Sequence, residues 1–353
     1  MLLNIIRALF SVIIASFKKK LTTAFILACS LFILSNQTLQ AAEAKANNKN
    51  MPVCAYIASY APGYKWQDGI EQGIQESLAQ RCEIKTFFMN SKKVSTEASL
   101  QQIGLQAVDF IKRINPEIVI VSDDHAVKYV LMDHYKNSPL PFVYCGVNNT
   151  GLIYGLPYRN TTGMVEKNPT EKLLRLLFNL NPSKTHVAFL TTTGTSADID
   201  VSAFHKLVIK LKIKSSTYQI QNEQDWRSIY KNIQEDPNVD IIFFSNNATF
   251  PSWNHKKNMA WVLKYNNKLS VTTKDSILPY VALGMNKSAK EHGSWAGNAA
   301  IEILNGIAPN KLAVVPNQKF QLWVNPRVIK PFRTPQIDEI ISQSLVYNSV
   351  VSE

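Results

Sequence analysis

The residues most able to do chemistry in this chain stand just beyond short apolar runs. Asp123 and Asp124 follow Ile118–Val121 and Ser122, and a carboxylate so placed can accept hydrogen bonds from an ammonium group. Ser59, Tyr60, Tyr64 and Trp66 follow Val53–Ile57, and the rings of Tyr60, Tyr64 and Trp66 can cover an apolar or aromatic side chain. Asn148 and Asn149 close Phe142–Val147 with amide donors and acceptors. In the second half, Thr193, Thr195 and Ser196 follow Val187–Leu190 and precede a predicted helix, where hydroxyls and backbone N–H groups can hold a carboxylate. Asn246 and Asn247 follow Ile241–Phe244, and Asp275 adds another acid. Ammonium, carboxylate and apolar body together describe an amino acid or a similar zwitterion. Each group also has a plainer reading. Asp124 can cap a helix beginning near Ala126, Asn148-Asn149 before Gly151 can form a turn, and Trp66 can pack under its own helix.

No catalytic signature accompanies these groups. The first strand is not followed by a Gly-x-Gly-x-x-Gly turn, no phosphate-binding loop occurs, and no serine sits in a nucleophile elbow. The six histidines, at 125, 134, 186, 205, 255 and 292, lack close metal-ligand spacing, so neither a metal nor a cofactor is expected. Hydrophobic residues make up 46% and charged residues 18%, which suits a globular chain with a real core. The net charge of +12 is spread out rather than gathered in a stripe, which argues against nucleic acid as a partner.

Strand-like and helix-like segments alternate, and buried apolar runs separated by helix-length segments read as parallel strands. Val53–Ser59, Cys82–Phe88, Ile118–Val121 and Phe142–Val147 are predicted strands, with helices over Trp66–Ala79, Leu100–Ile114 and Ala126–Tyr135 between them. The series restarts at Asn168-Pro169-Thr170-Glu171, a helix start with Asn as cap and Pro in the first turn. Strands Val187–Leu190, Ser216–Gln221 and Ile241–Phe244 follow, with helices Val201–Leu211, Gln224–Gln234 and Lys256–Tyr265. Tyr280–Met285 and Gln321–Val324 are predicted strands flanking helix His292–Leu304. In open α/β sheets ligands sit beyond the carboxyl ends of the strands, where the polar clusters lie. Cys54 and Cys82 stand near the starts of neighbouring predicted strands, as a bridge or as two thiols, and Cys145 reads as a core residue.

Ahead of this, Lys18–Lys20, the apolar stretch Leu21–Leu34 and the small residues Ala41-Ala42 have the order of a secretory signal peptide. Residues 1–41 are therefore expected to be a leader and 42–50 a polar tether. An uncleaved leader would instead anchor the chain to a membrane.

At this level the chain resembles a type I periplasmic binding protein of the ABC transporter substrate-binding family, in the branch related to aromatic amino-acid binders. The segments that carry the likeness are Ser59–Trp66, Ser122–Tyr129, Pro141–Asn149, Tyr154–Pro157, Thr162–Glu166, Asn246-Asn247, Pro279-Tyr280 and Gly293–Ala296. It extends over about residues 52–330. His292 stands where the family leads one to expect glutamine, and Asn90 where it suggests aspartate. The resemblance implies an α/β fold of two similar doubly wound parallel-sheet lobes joined by a multi-strand hinge. The expected first lobe is 51–162 plus 278–310, the second is 163–277 plus 311–332, and 333–353 is a tail. It further implies a periplasmic, monomeric binder of a small molecule, closing about its hinge and serving an ABC permease in the inner membrane, and not an enzyme. The other readings are a ligand sensor working with a separate signalling membrane protein, and an exported α/β enzyme.

Overall fold

The computed structural model describes residues 51–94, 96–148, 151–180, 183, 185–246, 250 and 253–347. The expected leader and tether lie outside them. By contacts, Met51–Pro52 and Gln80–Glu83 group apart from the remainder. Within that small unit, the Glu83 N–H donates to the Pro52 carbonyl at 2.8 Å.

The rest is built on two sheets. The first has the order β11-β5-β4-β3-β1-β2, formed by β1 (Val53–Ala58), β2 (Glu83–Phe88), β3 (Ile118–Ser122), β4 (Phe142–Asn148), β5 (Thr161–Glu166) and β11 (Val315–Pro316). β1, β3, β4, β5 and β11 run parallel. Their near-continuous apolar sequences follow from burial on both faces. The second sheet has the order β13-β12-β10-β9-β8-β6-β7. It is formed by β6 (His186–Thr192), β7 (Lys214–Ile220), β8 (Ile241–Phe244), β9 (Leu269–Thr272), β10 (Leu283–Lys287), β12 (Phe320–Val324) and β13 (Leu345–Val346). Among the described residues, its β10–β12 pairing is antiparallel and the other pairings are parallel. Each sheet has its own apolar core, one around Ile57, Val121 and Tyr144, the other around Phe189, Trp226 and Phe243.

The helices follow from local signals. α1 (Lys65–Leu78) buries Ile70, Ile74 and Leu78 along one stripe. α2 (Glu97–Ile114) starts at Thr96, whose hydroxyl accepts from the Ser99 N–H at 3.2 Å. α3 (Asp123–Ala126) begins three residues earlier than expected and continues as a π-helical turn over Val127–Met132. Its N-cap is Ser122, so Asp124 is not the capping residue. α4 (Thr170–Leu180), α5 (Thr195–Leu211), α6 (Glu223–Glu235) and α7 (His255–Lys264) belong to the second lobe. α8 (Ala289–Leu304) packs on α1 in the first, so closely that a Cβ at Gly293 would lie 1.9 Å from the Ile70 carbonyl oxygen.

The strand pairing differs from the expected boundaries in three places. Thr161–Glu166 belongs wholly to the first sheet, and the chain leaves that sheet only after Glu166. The strand expected at Tyr280–Met285, and assigned to the first lobe, is Leu283–Lys287 in the second, paired with Val271 and Thr272. Asp275–Tyr280 forms a 3-10 helix instead, where Pro279 has no N–H to give a ladder. Of the expected tail 333–353, the described residues 333–347 are built into the fold. Thr334 caps α10 (Pro335–Ser342), Ile337 and Ile340 are buried, and Leu345 pairs with Trp323. The chain therefore crosses between sheets after Glu166, after Lys287 and after Pro316. α9 (Pro326–Ile329) follows β12. Cys54 and Cys82 are both disulfide-bonded, and Cys145 is a buried free thiol.

Candidate functional site

The ends of β1, β3, β4, β5, β9 and β10 converge on a cavity of about 530 Å³. Six of the residues picked out by sequence line it: Tyr60, Tyr64, Trp66, Asp123, Asn148 and Asp275. Tyr60 and Tyr64 come from the loop after β1, which turns at Gly63 with φ +86. The Gly63 N–H donates to Asp68 Oδ1 at 2.8 Å, holding that turn on α1. The two rings meet edge to face at 5.4 Å.

Asp123 is the centre of the first-lobe wall. It is only 3% exposed and sits at φ +66, a conformation Asp tolerates better than most residues. Gly146 makes room for it: a Cβ there would lie 3.0 Å from Asp123 Oδ1, and the β4–β5 register shifts at the same point. Trp66 Nε1–H donates to Asp123 Oδ1 at 2.8 Å, while Oδ2 is buried and has no partner among the described residues. Burial, with Glu166 and Asp124 nearby, pushes its carboxyl well above the usual range, against the Trp66 bond.

The other candidate residues divide clearly. Ser59 is fully buried, and its hydroxyl donates to the Ser122 carbonyl at 2.6 Å and accepts from Ala126 N–H at 2.8 Å, so it holds the start of α3 and does not line the cavity. Asp124 accepts from the Asn148 amide on the cavity's edge. Thr193 is exposed and lines neither this cavity nor its neighbour, because the chain turns away through Gly194 at φ +117. Thr195 and Ser196 form the first turn of α5. Asn246 follows β8 half-buried, next to Ser245, which lines a neighbouring cavity of about 570 Å³. Asn149 and Asn247 lie outside the described residues.

The second-lobe wall was not anticipated from sequence. Asn286 on β10 is 5% exposed, and neither its amide oxygen nor its amide nitrogen has a partner among the described residues. Lys287 pairs with Glu166, the last residues of two crossing strands meeting at the hinge, and its ammonium lies 4.9 Å from the Trp66 ring centroid. Burial raises the Glu166 carboxyl, and Lys287 opposes that. Lys65, Thr273, Lys274 and Ser276 add two ammonium groups and two hydroxyls to the lining. Burial likewise raises Asp275, which Lys65 and Lys287 offset. Behind Trp66, His292 accepts from Gly146 N–H at 3.2 Å through Nδ1, which places its proton on Nε2. Burial and then Lys287 hold its pKa down at about 3. Beside the cavity, Lys167 N–H donates to Asn317 Oδ1 at 2.6 Å and Asn317 N–H to the Val165 carbonyl at 3.2 Å, lacing two crossings together. Among the described residues no His, Cys, Asp and Glu group could hold a metal, and no helix is long and apolar enough to cross a membrane.

Two α/β lobes with three crossings and a polar cavity at the strand ends define a solute-binding protein of the type I periplasmic fold. The chain belongs to the ABC transporter substrate binding protein family, whose sequence pattern matches residues 40–344. It is accordingly a binder rather than an enzyme, with a small-molecule ligand and an ABC permease as its partners, of a family that works outside the cytoplasm. No curated protein sequence matches it. Among solved structures it is similar to CD0873, a substrate binding protein with adhesive properties from Clostridium difficile in its ligand-free, open form. The TM-score is 0.67 at 12% identity, over 84% of this chain and 99% of that one. An ABC domain in complex with L-Trp from Streptococcus pneumonia gives 0.55 at 16% identity, over 83% and 99%. A periplasmic ribose ABC transporter from Conexibacter woesei gives 0.54 at 14% identity, over 82% and 95%. These likenesses concern the fold.

Proposed function

We propose that this protein captures an amino acid or a similar zwitterion in the cleft between its lobes and delivers it to the permease by hinge closure. The observation that carries this reading is the pair of unsatisfied side chains facing one cavity from two sheets, Asp123 Oδ2 and both polar atoms of Asn286. Buried polar atoms without partners are rare and destabilising, and a ligand that bonds to them relieves that deficit. Asp123 suits an ammonium, the lysines at 65 and 274 suit a carboxylate, and Tyr60, Tyr64 and Trp66 suit an apolar side chain. The L-Trp held by the streptococcal protein is of this chemical class. Contacts from both lobes favour the closed form, since a ligand shifts the equilibrium only by its differential affinity. The disulfide-bonded state of Cys54 and Cys82 fits an exported, periplasmic chain.

The test is a thermal-shift and calorimetric screen of the purified protein against the amino acids, repeated with Asn286→Ala and with Asp123→Ala and Asp124→Ala combined. A ligand that binds only the folded state raises the melting temperature. Binding by one group of amino acids, lost in the variants, is the expected result. Full affinity in the variants would remove these residues from the site, and no response to any amino acid would end the zwitterion reading.

A further inference from the structure

We infer that Lys92 is the chain's own occupant of an ammonium-binding aromatic box at the mouth of this cavity, and that an organic ammonium ligand displaces it. The inference deepens the proposed function and rests on it. Aromatic rings that line the cavity already carry ammonium groups of the chain. Lys287 lies over Trp66, and Lys92 lies 3.4 Å from the Tyr64 ring centroid and 4.7 Å from that of Tyr60. Cations are drawn to ring faces by the ring quadrupole, and such aromatic arrangements recognise ammonium ligands.

The two lysines are held differently. Lys287 is fixed by its ion pair with Glu166 on a crossing strand. Lys92 is exposed, and among the described residues its ammonium has no carboxylate partner. Its position is nevertheless built. The 3-10 turn Ser91–Lys93 is tied to the loop that carries Tyr60, with the Ser91 N–H and hydroxyl both donating to the Ser59 carbonyl, at 2.9 and 2.7 Å. The chain thus presents a displaceable cation to Tyr60 and Tyr64. The cavity that these two rings line is also lined by Asp123, with its unpartnered oxygen, and by Glu166. A ligand ammonium entering that acidic aromatic space competes with Lys92 for the ring faces and is repelled by its charge.

Three probes sharing one ring separate the groups that matter: phenethylamine, phenylalanine and 3-phenylpropionate. Their affinities are measured by calorimetry for the wild-type protein, for Lys92→Gln, which removes the cation, and for Lys92→Arg, which keeps it. Because Lys92 is exposed, the variants should keep the wild-type melting temperature. Both amines should bind about two- to fivefold more tightly to Lys92→Gln, the range that an exposed cation–π contact corresponds to, and equally to Lys92→Arg. The propionate should not bind. Amine binding that weakens or stays the same in Lys92→Gln overturns the inference, as does propionate binding as tight as that of phenethylamine. If phenylalanine binds and Lys92→Gln changes nothing, the amino-acid reading stands and this inference falls. If phenethylamine alone binds and tightens, the ammonium box stands and the amino-acid reading falls. Binding of neither amine to either chain ends both.

Discussion

Replacing His292 by glutamine should remove a built-in sensitivity to acid. In the folded protein the His292 pKa is about 3, because burial and Lys287 disfavour its charged form. Unfolded, it takes up a proton near the ordinary value of about 6.5. A depressed folded pKa contributes stability that is present above the unfolded value and lost as pH falls toward the folded one. Between pH 7 and pH 5 the unfolded state gains a proton that the folded state refuses, and linkage converts this to about 2 kcal/mol. Each further unit down to about pH 4 adds about 1.4 kcal/mol. Glutamine preserves an acceptor for the Gly146 N–H and cannot titrate. Asp123 and Glu166, with raised values, act in the opposite direction, gaining stability as pH falls, but they are present in both chains and cancel in the comparison. Urea denaturation of the wild-type and His292→Gln proteins at pH 7 and pH 5 measures the difference. The wild type should lose about 2 kcal/mol more than the variant over that interval. Parallel losses in the two proteins would refute the reasoning, because they would mean that His292 titrates alike folded and unfolded.

Asp123→Asn keeps the acceptor for Trp66 and tolerates the positive φ, yet gives the ligand ammonium no carboxylate. Phenylalanine should bind about 10- to 100-fold more weakly by calorimetry, the range of a charged hydrogen bond, with the melting temperature not lowered. Equal affinity would exclude Asp123 from the site. Because Asp123 is protonated more readily than an ordinary carboxyl and an ammonium favours its charged form, binding should release a proton and tighten as pH rises. Calorimetry in buffers of different ionisation enthalpy reads that release directly, and identical heats in all of them would contradict it. Gly293→Ala forces a methyl group against the Ile70 carbonyl, which should separate α1 from α8 and destabilise the protein by about 1–3 kcal/mol or more. An unchanged melting temperature would show that the two helices yield at no cost.

Much of the fold was legible because strands buried on both faces leave continuous apolar runs. β1, β3, β4, β6 and β8 stand out in that way. Their ends point to Tyr60, Trp66, Asp123 and Asn148 by the strand-end rule alone. Sheet membership is another matter. β10 follows a 3-10 helix rather than an extended segment, and its place beside β9 depends on pairing Leu283 with Val271, a contact that no local pattern announces. With β10 assigned to the wrong sheet, Asn286 and Lys287 had no reason to be considered. One signal was available: a strand reading Leu-Gly-Met-Asn-Lys has polar groups where its apolar run should continue. Glu166 ends β5 and Lys274 stands two residues beyond β9, but as lone charges they lack the hydroxyl cluster that marks Thr193–Ser196, and Thr193 faces solvent.

The three crossings impose an order on biosynthesis. The first sheet ends with β11 at Val315–Pro316, and α1 waits for α8 to cover Ile70 and Ile74. The second sheet ends with β13 at Leu345–Val346. During translation, therefore, neither lobe can finish before most of the chain has left the ribosome, and apolar strands and half-covered helices must be shielded in the interval. That delay, a liability for a protein folding where it is made, suits a family whose members work outside the cytoplasm, since a chain that is slow to close can still be moved unfolded.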